Sequence, residues 1–238
     1  MTRTPTILAT SGGFEHDARH QLVPSGLVKK ALELSGTARP KMCFVATASG
    51  DATDAIQLTY AAFAGWSVDV SHLALFPMPN VDDIRAHLLA QDVIWVGGGS
   101  VAGLLAMWRL HGLDVVLREA WEAGVVLGGV SAGSICWHVG GPTDSFGPDL
   151  RPVTDGLGLV PFGNGVHYDG EQQRRPLLHR MVADGTLPLS YATDDGVGLH
   201  YAGTELVGVY SEVEGARGYV VEAAGGTVTE TPLKPVTV

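Results

Sequence analysis

Val125-Val126-Leu127-Gly128-Gly129-Val130-Ser131-Ala132-Gly133 is an unbroken apolar run that closes in a turn of small residues. Continuous rather than alternating hydrophobicity marks a strand covered on both faces, and such strands belong to parallel sheets. The turn carries the spacing Gly-x-Ser-x-Gly, and a helix-compatible run, Ser134-Ile135-Cys136-Trp137, follows it. Flanking glycines relieve crowding, so the chain bends sharply and pushes the serine hydroxyl outward. A helix starting at this bend places unpaired N–H groups beside the hydroxyl. Ser131 is therefore the candidate nucleophile.

Working outward, the same texture recurs at Thr6–Thr10, Lys41–Thr47, within Trp66–Leu75, and at Asp92–Val96, which runs into Gly97-Gly98-Gly99. Helical patterns fill the gaps. Asn80 is placed to cap a helix reaching Ala90, with Ile84 and Leu88 on one face. Ser100 is placed to cap another, in which Val101, Leu104, Leu105 and Trp108 form an apolar stripe. Strand–helix alternation of this length predicts an α/β fold with a doubly wound, mostly parallel sheet. Beyond residue 186, short runs at Leu189–Thr193, Val197–Tyr201, Glu205–Val209 and Arg217–Glu222 are separated by glycine turns. These predict antiparallel strands toward the C-terminus, at the edge of the same sheet or in a small adjoining one. The tail, TVTETPLKPVTV, is either a last edge strand or a loose segment. No linker divides the chain, so residues 1–238 are expected to form one domain.

Composition narrows the function classes. The 238 residues are 45% hydrophobic and 17% charged, with a net charge of −10. A nucleic acid partner would demand a basic stripe, which this balance argues against. The 32 glycines follow no period and gather at the ends of apolar runs. No apolar stretch reaches the length of a membrane span, and the N-terminus lacks the core of a signal peptide. A cytoplasmic location is expected, with Cys43 and Cys136 as buried free thiols. Thiol catalysis would need a cysteine at the bend, and Cys136 lies five residues past it.

A serine hydroxyl needs a base. His167 follows the run Gly158–Phe162 and stands ahead of a helical segment, which sets it on the same rim as Ser131. His111, His179 and His200 suit packed or solvated roles, and His138 lies about two helical turns past the serine. His16 and His20 have no third ligand nearby, so no metal is expected. The base in turn needs a carboxylate to hold its tautomer. Asp195, in Asp194-Asp195-Gly196 at the end of a strand, is the first choice; Asp194 and Asp144 are the alternatives. The amides of Ala132 and of Gly98 or Gly99 are candidates for the oxyanion hole. Gly97-Gly98-Gly99-Ser100 lacks the Lys-Ser/Thr ending of a phosphate-binding loop, so no cofactor is expected.

Taken together, the Gly-Gly-Gly strand end, Gly128 to Gly133, the segment Gly156 to His167 and the acid–glycine turn resemble the peptidase E and cyanophycinase family of serine peptidases. The resemblance extends from the first strand to about Glu222. It implies a flavodoxin-like sheet akin to class I glutamine amidotransferases, and a Ser-His-acid triad of Ser131, His167 and Asp195. It further implies hydrolysis of short peptides, with an N-terminal aspartate preference in the peptidase E branch. Two departures stand out. Ser100 replaces the asparagine common in that family, and Arg174 and Arg175 sit one or two places beyond the arginine of a Gly-Glu-Thr-Arg-like segment. On a helix, one residue of offset turns a side chain by about 100°. Ser100, Arg174 and Arg175 are the candidate substrate-binding residues. The expected partner is a small peptide, and a homo-oligomer is compatible with the sequence. An esterase or amidase on small acyl compounds, or a non-catalytic binding module on the same fold, are the alternatives.

Overall fold

The computed structural model describes residues 3–238. Its first half runs β1 (Thr6–Thr10), β2 (Phe14–His16), β3 (Leu22–Pro24), α1 (Gly26–Leu34), β4 (Lys41–Val45), α2 (Thr53–Ala62), β5 (Asp69–Leu73) and α3 (Ile84–Leu89). There follow β6 (Val93–Val96), α4 (Val101–His111), α5 (Leu113–Glu122), β7 (Val126–Val130) and the four-residue α6 (Ala132–Ile135). The second half contains β8 (Gly141–Thr143), β9 (Arg151–Val153), β10 (Gly163–Gly165), α7 (Arg174–Ala183) and β11 (Ser190–Thr193). It ends with β12 (Val197–Ala202), β13 (Glu205–Ser211), β14 (Gly218–Ala224), β15 (Thr227–Leu233) and β16 (Val236–Thr237).

Eight strands form the main sheet in the order β16-β13-β12-β1-β7-β6-β4-β5. β1, β7, β6, β4 and β5 are mutually parallel; β12 and β13 add antiparallel strands at the β1 edge. Alternate residues of the parallel strands feed two cores. Ile7, Cys43, Ile94 and Leu127 pack with α4 and α5 through Leu104, Trp108, Leu117 and Trp121. Leu8, Met42, Trp95 and Val126 pack on the opposite side with Val28, Ala31 and Phe63. Helices on both faces are why these strands read as continuous apolar runs rather than as alternation.

A second sheet, β10-β11-β14-β15, stands beside the first. The C-terminal strands thus divide between both expected places, β12 and β13 in the main sheet and β14 and β15 in the second. The tail supplies a strand to each: β15 pairs with β14, and β16 lies parallel to β13. Two local expectations change. The helix expected from Asn80 begins at Ile84, because Asp83 accepts the Ala86 amide at 2.9 Å and forms the cap. Asn80 instead ties a loop, accepting from Ala74 N at 2.8 Å and donating to His72 O at 3.1 Å. Gly158–Phe162 is a bent segment rather than a strand, and the strand that leads to His167 is Gly163–Gly165. Among the described residues no helix is long and apolar enough to cross a membrane.

His138 lies in the core between α6 and β12, fully buried. Its Nδ1 stands 2.9 Å from Ser134 O and its Nε2 3.1 Å from the Tyr201 hydroxyl. The carbonyl can only accept, so Nδ1 carries the proton and Nε2 accepts from Tyr201. Burial pushes the imidazole down from 6.5 to about 4. Between those values the unfolded chain holds a proton that the folded state refuses, so stability falls as pH drops through the window. The expected loss from pH 7 to below pH 4 is about 3 kcal/mol. Urea midpoints at pH 7 and pH 4.5 should show it, and His138→Gln should flatten the difference; an unchanged slope in the variant removes His138 as its source.

Candidate active site

The candidate residues follow the carboxyl ends of β1, β6 and β7 in the main sheet, where an open parallel sheet offers its crevice, and of β10 and β11 in the second sheet. Ser131 follows β7 and carries φ +58°, ψ −112°, an unfavourable backbone for a residue with a Cβ. The surroundings enforce it. Ser131 N donates to Thr10 O at 3.0 Å, and the amides of Ser134 and Ile135 both return to Ser131 O. The hydroxyl is thereby turned out of the strand line at the start of α6.

His167 and Asp195 are brought together by strand register. β10 and β11 are parallel with Gly165 opposite Ala192, so the residues that leave their carboxyl ends emerge side by side. His167 Nδ1 lies 2.5 Å from Asp195 Oδ1. The histidine is a quarter exposed at its side chain and the aspartate about half. Asp169 Oδ1 accepts the Asp195 amide at 2.9 Å, closing the turn that presents the carboxylate. His167 also has a positive φ, +51°, which turns its ring away from the strand direction.

Ser11, which the sequence analysis passed over, ties the two sheets. Its amide donates to Val197 O at 2.8 Å, and its carbonyl accepts from Gly196 N at 3.0 Å. Its buried hydroxyl lies 2.7 Å from Thr193 Oγ1 and accepts the His167 amide at 3.1 Å. The backbones of Ser131 and His167 thus hang on consecutive residues, Thr10 and Ser11, whose Cα atoms are about 3.8 Å apart. The one available signal was position: Ser11 is the first polar residue past an apolar strand end, facing the crevice. No hydrogen bond joins Ser131 Oγ to the His167 ring among the described residues.

The alternative acids lie elsewhere. Asp194 is buried, and its Oδ2 accepts from Arg217 N at 2.9 Å and from the Tyr219 hydroxyl at 3.1 Å. Burial raises its carboxyl above the usual range. Asp144 is exposed beside Leu150 and Glu171, and no hydrogen bond joins it to His167 among the described residues. Both thiols are buried: burial pushes Cys43 up to about 12 and Cys136 well above its ordinary value. Neither is a nucleophile near neutrality.

Three backbone amides near Ser131 in the chain or in space carry no hydrogen bond among the described residues. In the glycine run after β6, Gly97 N donates to Val45 O and Ser100 N to Ala48 O, whereas the amides of Gly98 and Gly99 have no acceptor among the described residues. Ala132 N, the first amide of α6, has none either. Gly98 passes so close to the serine that a Cβ built on it would stand 3.4 Å from Ser131 Cβ and 4.0 Å from Ser131 Oγ. The Ser100 hydroxyl is occupied as the cap of α4, accepting Gly103 N at 3.0 Å.

The two arginines are likewise engaged. Arg174 is buried, with Nε 2.7 Å and Nη2 3.2 Å from the Glu171 carboxylate and Nη1 bonded to Pro142 O. Arg175 lies over the rings of Tyr168 and Tyr219, 4.4 and 4.9 Å from their centroids, and pairs with Glu230.

Residues 7–209 match the model of peptidase family S51. The uncharacterized peptidase YgaJ of Bacillus subtilis (strain 168) is 43% identical over 202 residues, covering 85% of this chain and 86% of that protein. Peptidase E of Shewanella denitrificans is 31% identical over 134 residues, 52% of this chain and 57% of that protein. In fold, the chain superposes on a peptidase from an acI-B1 Actinobacterium with a TM-score of 0.69 at 15% identity, covering 98% of this chain and 96% of that one. It superposes on a putative peptidase E protein of Listeria monocytogenes EGD-e with a TM-score of 0.60 at 18% identity, covering 97% and 100%. With the family model spanning most of the chain and a partly exposed serine on a strained bend at its centre, this protein belongs to peptidase family S51 and is a serine hydrolase of the peptidase E kind.

Proposed function

We propose that the protein hydrolyses short peptides through an acyl-enzyme on Ser131, with His167 as base and Asp195 as its orienting carboxylate. The frame is of the flavodoxin and class I glutamine amidotransferase type. The observation that carries this reading is the contact of His167 Nδ1 with Asp195 Oδ1 at 2.5 Å. A carboxylate there accepts the Nδ1 proton, which leaves Nε2 bare to take a proton from a hydroxyl.

Ser131 Oγ attacks the scissile carbonyl carbon as Nε2 removes its proton. Negative charge develops on the carbonyl oxygen, and the amides of Ala132 and of Gly98 or Gly99 receive it. Imidazolium, stabilised by Asp195, then protonates the departing amine as the C–N bond breaks. Water repeats the sequence on the ester, with His167 again as base, and frees Ser131. The Ser131–His167 hydrogen bond, absent among the described residues of the free protein, forms in this reading only once substrate is bound, because catalytic bonds are often completed in the Michaelis complex. Arg174 and Arg175 are both occupied by partners, so this reading carries no preference for an aspartate side chain.

A fluorophosphonate probe should label the protein at Ser131 and fail on Ser131→Ala, and digestion of a dipeptide and tripeptide mixture should release free amino acids by mass. Turnover of p-nitrophenyl esters with an untouched peptide mixture would replace the peptidase reading by an esterase. A folded protein that resists the probe would make it a binding module.

A further inference from the structure

Beside the nucleophile lies a cavity of about 240 Å³ walled by Phe14, Leu22, Phe44, Leu58 and Trp95. Its lining includes Gly98 and Val130, the residue packed against Ser131 and the residue that precedes it. The lining therefore reaches the residue that precedes the nucleophile and a glycine on which a Cβ would lie 4.0 Å from Ser131 Oγ. Phe14 and Leu22 come from the β2–β3 hairpin, Phe44 and Trp95 from the sheet, and Ala55 and Leu58 from α2.

Among the described residues no charged side chain lines this space. The one hydroxyl in its wall is that of Thr59, which is turned back to donate to Ala55 O at 2.9 Å. A carboxylate or ammonium placed here would lose its hydration with no partner to replace it, whereas an aliphatic or aromatic side chain gains from leaving water. In the peptidase reading the amides of Ala132 and of Gly98 or Gly99 hold the bound carbonyl, and Gly98 also lines the cavity.

We propose that this cavity is the specificity pocket for a large apolar side chain flanking the scissile bond, so that the preferred substrates are short peptides carrying leucine, methionine or phenylalanine there. The inference rests on the peptidase reading above and names its substrate class. Leu58 is half-exposed at the mouth, so its replacement alters the pocket without emptying the core.

A matrix of dipeptides with Ala, Leu, Phe, Asp and Lys at each position tests it. The wild-type protein should show kcat/KM at least about tenfold higher for Leu or Phe than for Ala or Asp at one of the two positions. Leu58→Arg should lower the Leu-to-Asp ratio by about tenfold or more. Ala55→Leu, which narrows the cavity from the same helix, should lower the Phe-to-Ala ratio. A flat matrix, a preference for Asp, or unaltered ratios in both variants would overturn the pocket while leaving the Ser131 hydrolase standing. A matrix without cleavage from a protein that also resists the fluorophosphonate probe would overturn both.

Discussion

Alanine at Ser131 is expected to lower kcat on a cleaved dipeptide by about a million-fold, and asparagine at Asp195 by about ten-thousand-fold. The two differ because they remove different things. Without Ser131 no acyl-enzyme can form, and only the oriented amides remain to polarise the carbonyl. In Asp195→Asn the side chain would keep the shape of the turn but could offer its NH₂ group to His167 Nδ1, turning the ring to the tautomer that has a proton on Nε2 and cannot act as base. The loss should fall on kcat, with KM nearly constant, because neither residue forms the side-chain pocket. Ser131→Ala combined with His167→Ala should be no slower than Ser131→Ala alone, since the pair acts as one unit. Asp194→Asn is the discriminating control. Its carboxylate serves Arg217 N and the Tyr219 hydroxyl, so the variant should lose stability in a urea titration and keep kcat within a few-fold. If Asp194→Asn proved as slow as Asp195→Asn, the assignment of the acid would be wrong.

The strands of the main sheet were legible because burial on both faces forces an uninterrupted apolar sequence. Thr6–Thr10, Asp92–Val96 and Val125–Val130 coincide with β1, β6 and β7 to within a residue. β5 was legible only as lying within Trp66–Leu75, because as the sheet edge it keeps Asp69, Ser71 and His72 partly exposed and loses the apolar signature. Gly163-Asn164-Gly165 has none of the residues that favour strands, and it pairs because Asn164 is buried with its side chain bonded to Ser134 Oγ and Tyr191 O. No local pattern encodes that bond. The sequence placed His167 on the rim of Ser131 and Asp195 at a strand end, but the parallel register that joins the two is tertiary. Arg174 shows the opposite limit. Two adjacent arginines read as candidate substrate-binding residues, and only the folded chain brings Glu171 and Pro142 O around the first of them. Ser11 was hidden for a similar reason: its hydrogen bonds go to His167, Thr193, Gly196 and Val197, the nearest of them 156 positions away.

The second large effect is expected from Gly133→Ala, which should cost about 3 kcal/mol or more of stability although it adds a single methyl group. Gly133 is the second residue of α6 and lies against β6, and a Cβ there would overlap the Val96 carbonyl oxygen and approach Val96 C and Cβ to 2.8 Å. Val96 cannot retreat, since β6 is held between β4 and β7 in the middle of the sheet. Gly133 cannot retreat either, because its own carbonyl already stands where a Cβ on Gly129 would come within 2.6 Å. Overpacking of a closed contact usually costs about 1–3 kcal/mol, and more where both partners are backbone. Gly103→Ala provides the comparison. It lies inside α4, its new Cβ would meet only Ser100, with the hydroxyl at 3.1 Å, and alanine is the better helix former by about 1 kcal/mol. Its urea midpoint should therefore stay near that of the wild type while Gly133→Ala falls far below. If any Gly133→Ala protein folds, the bend at Ser131 must have shifted to admit the methyl group, and fluorophosphonate labelling should slow by at least tenfold. Equal midpoints for the two variants, with Ser131 labelled at the original rate, would mean that the second glycine of Gly-x-Ser-x-Gly does not hold the nucleophile in place here.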